Sequence, residues 1–348
     1  MEDPKQLILA DSGLNDICPV MDADIDFEVG SENSFEVKIR RDRWNENYTY
    51  QNVFYIKNTE MGGVIGEIDT NTELDTTSVL GYTWRGLLGM KVIRPPSGQD
   101  YKTVSGELNQ VIGALITEQF GDPELTGEEN ENLRTTYYFG VSYEDTGIKV
   151  DNYQFERYCT LLAGIEKMLK SVGYRLKIQY IQREQGQRGI VELSAVPITD
   201  YSGEIELSQD SRLNFTFKNI KNGVNHLVCL GKGELQERQV IDLYVQQDGT
   251  IGDKMYYSGI DEIAQVYEDT SSEADELKEK GTEKLRELMN GSSFAMDVAT
   301  LDIDVEIGDI VGGRDYITGI YAKKPVSKKV YRIEGGEASM EYGIEGED

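Results

Sequence analysis

The sequence predicts a mainly β protein of the α+β class, in which two β regions are separated by a part that mixes helices and strands. Three observations lead to this prediction. Short runs such as Ser34–Arg40 and Val53–Lys57 alternate apolar and polar residues, which is the period of a half-buried strand. The 36 glycines in 348 residues provide many turns. Three further segments have the apolar spacing of amphipathic helices.

The first β region covers about residues 1–100. Gly62, Gly63 and Asn71 mark turns within it, and the turn-forming sequence Pro95–Gly98 marks its end. A chain of 348 residues exceeds the roughly 100–150 residues of one typical core, so we expect several domains.

An α+β domain is predicted over residues 101–200. Its first helix should have Ser105 as N-cap, because a serine side chain satisfies free backbone N–H groups there. Its second helix is predicted over about residues 153–172, with Asn152 as a cap and Gly173 as the C-terminal stop.

The second β region is predicted over residues 201–245 and 290–348, with a small helical insertion at residues 246–289. The helix of this insertion is bounded by Ser272, with Asp275 in a capping-box arrangement.

The chain is strongly acidic, with 63 acidic and 35 basic residues and a formal net charge of -28. This charge repels nucleic-acid phosphates and anionic membrane surfaces, so we expect no stable nucleic-acid binding. An acidic surface usually serves solubility, and the sharper alternative is an acidic lumen past which DNA slides without binding. We find neither a signal sequence nor a long apolar run, and therefore expect synthesis in the cytoplasm and no membrane insertion.

Enzymatic chemistry finds little support in the residue pattern. His226 is the only histidine, so a serine or cysteine nucleophile activated by histidine would have to use it. Cys159 lies on the apolar stripe of a predicted helix, and Cys229 lies on the opposite face of a strand from His226. Together with Cys18 they form no CxxC pair, and we expect all three to be reduced. No catalytic residue, metal site or cofactor is predicted.

Acidic residues alternate with apolar ones near the C-terminal end. Asp302, Asp304 and Glu306 have the period of a strand with one buried and one acidic face, which would be solvated or would face a lumen. A calcium loop is the alternative, but Gly308 is one place late for an EF-hand and Gly313 stands where a glutamate is needed.

Trp84 and Arg85 are neighbours in the segment TWRGLL. Such a pair could anchor a partner protein, which makes both residues interface candidates. The alternative is a tryptophan half buried in a β-barrel.

Five stretches of the sequence share the pattern of one family of particle proteins. They are Glu60–Ile68, Gly81–Pro96, Asn225–Tyr244, Ile307–Tyr321 and Ser327–Gly343. These stretches resemble the tail or baseplate hub proteins of phages, of PBSX-like defective prophages and of contractile bacteriocin particles. The acidic segment Gly121–Asn132 has no counterpart in the family pattern.

The resemblance implies a fold and a set of partners. Each subunit would have two tail-tube-like β-barrels with smaller α+β insertion domains. A homotrimer would join the six-fold tail tube, or a tube-initiator protein, to the three-fold central spike and leave an open channel. The tape measure protein and the baseplate wedge are further candidate partners. The protein would be located in the tail baseplate of a virion or particle, and it would not be an enzyme.

Two other functions remain open at this point. A tail-associated peptidoglycan hydrolase is one, because wall-degrading domains are often attached to hubs. A module that binds host-surface glycans is the other, and only the 21 tyrosines suggest it. The sequence leaves open whether the tail is contractile and whether the particle is a phage or a bacteriocin.

Overall fold

The computed structural model describes residues 6–121, 138–182, 188–203, 206–207, 214–220, 223–289, 291–298, 305–314, 317–319 and 321–347. The chain divides into two compact units: unit 1 contains residues 1–214 and 296–344, and unit 2 contains residues 215–295 and 345–348. These units divide the chain differently from the four domain ranges predicted from the sequence, which stay a prediction. Apart from Gly121, the acidic segment 121–132 lies outside the described residues.

Strands outnumber helices in the described chain, and their bounds follow in chain order. The strands are β1 (Leu7–Ala10), β2 (Asp16–Pro19), β3 (Ala23–Val29), β4 (Ser34–Arg40), β5 (Val53–Ile56), β6 (Gly62–Asn71), β7 (Thr76–Thr83), β8 (Thr103–Glu107), β9 (Phe139–Val141), β10 (Lys149–Gln154), β11 (Tyr174–Ile181), β12 (Ile190–Pro197), β13 (Glu206–Leu207), β14 (Asn214–Ile220), β15 (His226–Leu230), β16 (Val240–Val245), β17 (Ile251–Gly252), β18 (Ala264–Glu268), β19 (Gly291–Val298), β20 (Ile310–Arg314), β21 (Tyr321–Glu334) and β22 (Glu337–Glu347). The helices are α1 (Trp84–Gly89), α2 (Leu108–Phe120), α3 (Leu161–Lys170) and α4 (Ala274–Leu288). The α+β, mainly β class predicted from the sequence is confirmed.

Unit 1 contains a large antiparallel sheet with the strand order β22, β21, β3, β4, β7, β6, β5, β1 and β2. The C-terminal hairpin of β21 and β22 thereby lies beside β3, with Tyr331 opposite Phe27. Within the described residues β2, at the end of this order, pairs only with β1, so the pairing does not close a barrel. The two tail-tube-like barrels therefore remain a prediction.

Alternation along the strands gives this sheet one buried and one polar face. Ile25, Phe27 and Val29 of β3 are buried, and so is Phe35 of β4. The rings of Phe27 and Phe35 lie opposite each other with centroids 5.2 Å apart. Because the side-chain period of a strand is two, the residues between these apolar ones project from the other face of the sheet.

Helices α2 and α3 pack with the small sheet of β11, β12 and β9 in the middle of unit 1. Both helices bury one face, as the apolar spacing predicts, and Leu108, Ile112, Leu161 and Ile165 are fully buried. These side chains continue the core formed under β1 and β5.

The first helix begins three residues after its predicted cap. Ser105 lies in β8, and its hydroxyl accepts a hydrogen bond from the backbone N–H of Asn152 at 2.8 Å. Glu107 is the actual N-cap, because its carboxylate accepts from the N–H of Gln110 at 2.9 Å. The prediction that Ser105 caps the helix is therefore wrong, because its side chain connects β8 to β10 instead.

The second helix is also shorter than predicted. Residues 149–154 form β10 and pair with β8, and Asn152 has a φ of 49° where that pairing is irregular. Helix α3 begins only after Thr160, whose hydroxyl accepts from Ala163 at 3.2 Å. The predicted stop at Gly173 agrees with the structure, since this residue has a φ of 76°.

Unit 2 contains a four-stranded sheet with the order β17, β16, β15 and β18, and helix α4 packs on one of its faces. Leu227, Cys229 and Leu243 from the strands and Leu277 and Leu285 from the helix form its core. Strands β15 and β16 are antiparallel, whereas β15 and β18 are parallel.

The capping box predicted for α4 does not form. Glu273 occupies the N-cap position and makes no side-chain capping hydrogen bond. The hydroxyl of Ser272 instead donates to Asp269 at 2.8 Å, and Lys280 reaches the same carboxylate at 2.8 Å. Asp269 thus organises the turn before the helix, a role that the sequence analysis did not assign.

Within the parts of the chain that the structure describes, no helix combines the length and apolar character needed to cross a membrane. The three cysteines are free thiols, with Cys229 buried and Cys18 and Cys159 half-buried.

Candidate functional site: an acidic groove on the sheet of unit 1

The polar face of the large sheet is mostly acidic. Asp24, Asp26 and Glu28 of β3 alternate with the buried Ile25 and Phe27. Burial of the apolar residues fixes the register, so the three carboxylates must share the opposite face.

A groove of about 700 Å³ lies over β3, β4, β7 and β6 on this face. Its acidic lining residues are Asp26, Glu28, Glu32, Glu36 and Glu67. Leu80 and Tyr82 of β7 line it as well, and the ring of Tyr82 is half exposed. The groove therefore combines an excess of negative charge with a small apolar area.

Strand pairing places like charges close together. Asp26 lies opposite Glu36, and Leu80 lies opposite both Glu36 and Glu67. Directly opposed like charges destabilise a sheet, so hydrogen bonds and ion pairs to these carboxylates are needed to offset the repulsion. The hydroxyl of Ser78 donates to Glu36 at 2.5 Å.

Arg332 of β21 is the main cation at the border of the groove. Its Nε donates to Asp26 at 2.7 Å, and its Nη1 donates to Glu341 at 2.5 Å. The hydrogen bond to Asp26 is the largest influence that raises the pKa of Arg332 above its ordinary value. One guanidinium between two carboxylates leaves the local charge negative.

Such a surface repels polyanions and attracts cations. Among the described residues, no cluster of three or more histidine, cysteine, aspartate or glutamate side chains has the arrangement needed to hold a metal ion. The groove therefore supports an electrostatic role.

The acidic strand β3 has a counterpart elsewhere in the sequence. Residues 24–30 read DIDFEVG and residues 302–308 read DIDVEIG. Both repeats end in a glycine with positive φ, 103° at Gly30 and 94° at Gly308. A comparison of the two ends of the sequence would have connected the predicted acidic strand to β3.

The acidic strand predicted around residue 304 is described only from residue 305 onward, and residues 305–309 form a turn before β20 instead of a strand. Asp302 and Asp304 lie outside the described residues. Glu306 lies just before β20, and its carboxylate is 3.0 Å from Nζ of the buried Lys329. It is not among the residues that line the groove. A channel-facing role for these three residues stays a prediction.

The structure corrects the interface expectation for Trp84 and Arg85. Both begin helix α1, and both side chains are buried, with exposed fractions of 0% and 2%. The indole of Trp84 stacks on Tyr180 at a centroid distance of 6.2 Å. Neither side chain is available to a partner in this structure, because the helix turns them into the core of unit 1.

Arg85 is the centre of an ion cluster that the sequence analysis missed. Its guanidinium contacts Glu60, donates to Glu166 at 2.5 Å and donates to the carbonyl oxygen of Leu176 at 3.1 Å. Burial is the largest influence on the pKa of Glu60 and raises it, while Arg85 opposes this effect. No local motif reveals this cluster, because its members lie far apart in sequence.

The cysteine and histidine considered for catalysis do not meet. Cys229 is buried on the side of the sheet that faces α4, where Gly281 and Leu277 pack. Burial raises the pKa of its thiol to about 11, which favours the unreactive neutral form. His226 contacts Asp242 and Glu262 instead.

Comparison with solved structures finds the same fold at low sequence identity. No protein-family model matches the sequence, and no curated protein matches it at a significant level. The chain is similar to the 43 kDa tail protein of prophage MuSo2 from Shewanella oneidensis, with 11% identity, a TM-score of 0.50 and coverage of 97% of this chain and 98% of that one. It is also similar to a chain of the p2 virion baseplate in its activated conformation, with 9% identity, a TM-score of 0.51 and 98% of each chain covered. A chain of the phage P2 baseplate in its activated conformation with Ca has 10% identity, a TM-score of 0.50 and the same coverage.

Proposed function

Because the chain has the fold of prophage tail and phage baseplate proteins, we propose that it is the structural hub of a phage-type tail or of a contractile injection particle. As a homotrimer, it joins the six-fold tail tube to the three-fold central spike and leaves a channel open. The observation that carries the proposal is the extent of the fold similarity, which covers 97–98% of this chain and 98% of each neighbouring chain.

The repeated acidic heptapeptide supports two related elements in each subunit. The residues DIDFEVG at 24–30 belong to β3, and DIDVEIG at 302–308 stands just before β20. Two related barrels in each of three subunits give six similar elements, which matches the symmetry of a six-fold tube. The repeat is the sequence feature that supports two related barrels in each subunit.

In this role, the acidic groove of unit 1 faces the channel. Glu28, Glu36 and Glu67 then repel the phosphates of DNA that moves through the hub. The same residue pattern recurs at Asp302, Asp304 and Glu306, and these carboxylates are proposed to face the channel as well.

The partners are other components of the particle. The tail tube or a tube-initiator protein binds on one side and the central spike protein on the other, with the tape measure protein and baseplate wedge as further partners. Interfaces of this permanent kind bury large areas and cover the strand edges that would otherwise aggregate. The protein acts through these interfaces rather than through catalysis, and the particle assembles in the bacterial cytoplasm.

The decisive experiment is an in-frame deletion in the phage or bacterium that carries the gene, followed by electron microscopy of the particles. We expect tails without a joined tube and spike, and restoration by the intact gene. Normal particles after deletion would contradict the hub function. Clearing of a cell-wall suspension by the purified chain would instead favour the hydrolase, and hits on a glycan array would favour the receptor-binding module.

The trimer is tested separately on the purified 39.2 kDa chain by light scattering, alone and after mixing with the tube and spike proteins. A mass of three subunits is expected at least in the mixture. A monomeric chain in the assembled particle, seen by cryo-electron microscopy, would contradict the trimer.

A further inference from the structure

The only histidine of the chain lies between two carboxylates in unit 2. Nδ1 of His226 is 2.6 Å from Oε1 of Glu262, and Nε2 is 2.9 Å from Oδ1 of Asp242. An ionised carboxylate only accepts hydrogen bonds, and a neutral imidazole has only one N–H to donate. Both contacts are therefore satisfied together only by the doubly protonated imidazolium.

Three groups with titratable side chains face this ring. Asp242 and Tyr244 come from the neighbouring strand β16, and Glu262 comes from the segment that enters β18. The ring of Tyr244 stacks on the imidazole at a centroid distance of 4.3 Å. From β18 itself, the residue opposite His226 is the uncharged Ala264. The surroundings thus favour a cation at this position.

The segment before β18 is held by backbone hydrogen bonds from Asn225 and His226 to the carbonyl oxygen of Ile263, by the side chain of Asn225 and by the charged contact of Glu262 with His226. The side chain of Asn225 donates to the carbonyl oxygen of Asp261 at 2.7 Å and accepts from the N–H of Ile263 at 2.9 Å. Between these two residues, Glu262 is held by His226. Only the attachment at Glu262 depends on a proton that comes off near neutral pH.

Strand β18 lies at the edge of the sheet, so its order depends on how the segment before it is held. Its neighbour in the described sheet is β15 alone, and Val266 in its middle is more than half exposed. An edge strand with one neighbour and little burial is among the first elements to open. The attachments at its start, of which the contact of Glu262 with His226 is the charged one, therefore contribute to its order.

We infer that His226 is a proton-dependent clamp that fixes the segment entering β18 and thereby keeps this edge strand ordered. Loss of one ring proton leaves a nitrogen lone pair facing a carboxylate, which turns one attraction into repulsion. The clamp is closed when the imidazolium is present and opens as pH rises.

The direction of the pH effect follows from the two states. Burial lowers the pKa of His226, and the hydrogen bonds to Asp242 and Glu262 raise it more, so the pKa in the folded protein lies above its ordinary value. The stabilisation is complete below the ordinary pKa of histidine, about 6.5, and is lost as pH rises through the higher folded value.

Proton NMR of the full chain tests the clamp directly, because a single histidine gives one set of imidazole signals. We expect a titration midpoint above 6.5 and a decrease of about one pH unit, a tenfold change in proton affinity, in each of the variants Glu262→Gln and Asp242→Asn. Asp261→Asn is the matched control, since it removes the neighbouring carboxylate, and it should leave the midpoint unchanged. A midpoint at or below 6.5, or equal shifts in Glu262→Gln and Asp261→Asn, would overturn the inference.

Hydrogen exchange then measures the effect on the strand. After correction for the intrinsic exchange rate, protection of residues 264–268 should fall about tenfold for each pH unit between about 6.5 and the titration midpoint and stay constant above the midpoint, while α4 stays protected. In His226→Gln the protection of this strand should be low and independent of pH. If the wild-type strand keeps its protection through the titration, His226 is a charged residue without a clamping role and the inference fails.

Discussion

Arg85 and Glu60 form an ion pair inside unit 1, where α1 meets the turn between β5 and β6, and their side chains are only 2% and 7% exposed. Glu166 of α3 and the backbone of β11 at Leu176 complete the surroundings of the guanidinium. A buried pair of this kind adds little net stability compared with apolar residues, but it strongly penalises arrangements that leave one charge alone. It therefore specifies how these segments pack.

Replacement of Arg85 by methionine should reduce the free energy of unfolding by about 3–5 kcal/mol, because it leaves Glu60 buried without its cation. The double variant Arg85→Met with Glu60→Gln should recover part of this loss, since the unpaired charge is removed. Urea unfolding of the purified proteins measures both values.

Arg40→Met is the matched control for this experiment. Arg40 pairs with Asp42 at 2.9 Å, but both side chains are more than half exposed. An exposed pair contributes at most about 1 kcal/mol, so this variant should change little. Equal losses in Arg85→Met and Arg40→Met would show that burial of the ion cluster has no special role.

Gly30 approaches the backbone of β21 too closely for any side chain. A Cβ atom at this position would lie 2.0 Å from the carbonyl oxygen of Ser327, and the φ of 103° is unfavourable for other residues. Gly30→Ala should therefore lower the free energy of unfolding, measured with urea, by more than the conformational penalty of a left-handed residue, which is about 1–2 kcal/mol.

Gly147→Ala separates the two effects. Gly147 has a φ of 72°, and a Cβ atom there would meet no heavy atom within 4 Å. This variant should show only the conformational penalty. If Gly30→Ala is no more destabilising than Gly147→Ala, the close contact between β3 and β21 is relaxed in solution.

Local sequence patterns predicted the elements that are determined by interactions between residues close together in the sequence. The alternation in Ser34–Arg40 became β4 with the same bounds, and Gly173 ends a helix as expected. Helix starts were less accurate: Ser105 and Ser272 could both cap a helix by residue type, but their hydroxyls bind Asn152 and Asp269 instead. Tertiary partners decide between such equivalent uses of a side chain.

The candidate site could be predicted only in part, because its geometry depends on long-range pairing. The acidic period is visible in the sequence at Asp302, Asp304 and Glu306 and again at residues 24–30. The partnership of Asp26 and Arg332 joins residues 306 positions apart, and no local spacing indicates it. For the same reason the burial of Arg85 could not be read from TWRGLL alone.

Glu107 should make the stability of α2 dependent on pH. Burial raises its pKa, but hydrogen bonds from the hydroxyl of Thr146 at 2.6 Å and from the N–H of Gln110 at 2.9 Å prevail, so the pKa lies below its ordinary value. Such a carboxylate stabilises the fold above the unfolded pKa of about 4.3, and this stabilisation is lost as pH falls through the lower folded value.

Glu107→Gln should cost about 1 kcal/mol at pH 7, in the range of other N-cap replacements. Below the folded pKa, the carboxyl of the wild type is also neutral, and the difference should shrink. Urea unfolding of both proteins at pH 7 and at pH 3 measures it, with Glu118→Gln near the end of α2 as a control. A difference that stays constant with pH would mean that the charge of Glu107 does not contribute.

Charge reversal in the groove tests the channel-facing role. Glu28 and Glu67 line the groove at its surface, so Glu28→Lys with Glu67→Lys should change the free energy of unfolding by no more than about 1 kcal/mol. If the groove faces the channel, particles with this double variant should assemble but deliver DNA less well, because lysines bind the phosphates that pass them. The defect should weaken as salt is raised during delivery.

The matched control is the double variant Glu279→Lys with Glu283→Lys on the exposed side of α4. It makes the same change in net charge, and particles that carry it should deliver DNA normally. Normal delivery by both double variants would place the groove away from the path of the DNA. Failure of both would show that the net charge of the protein matters rather than the position of the lysines.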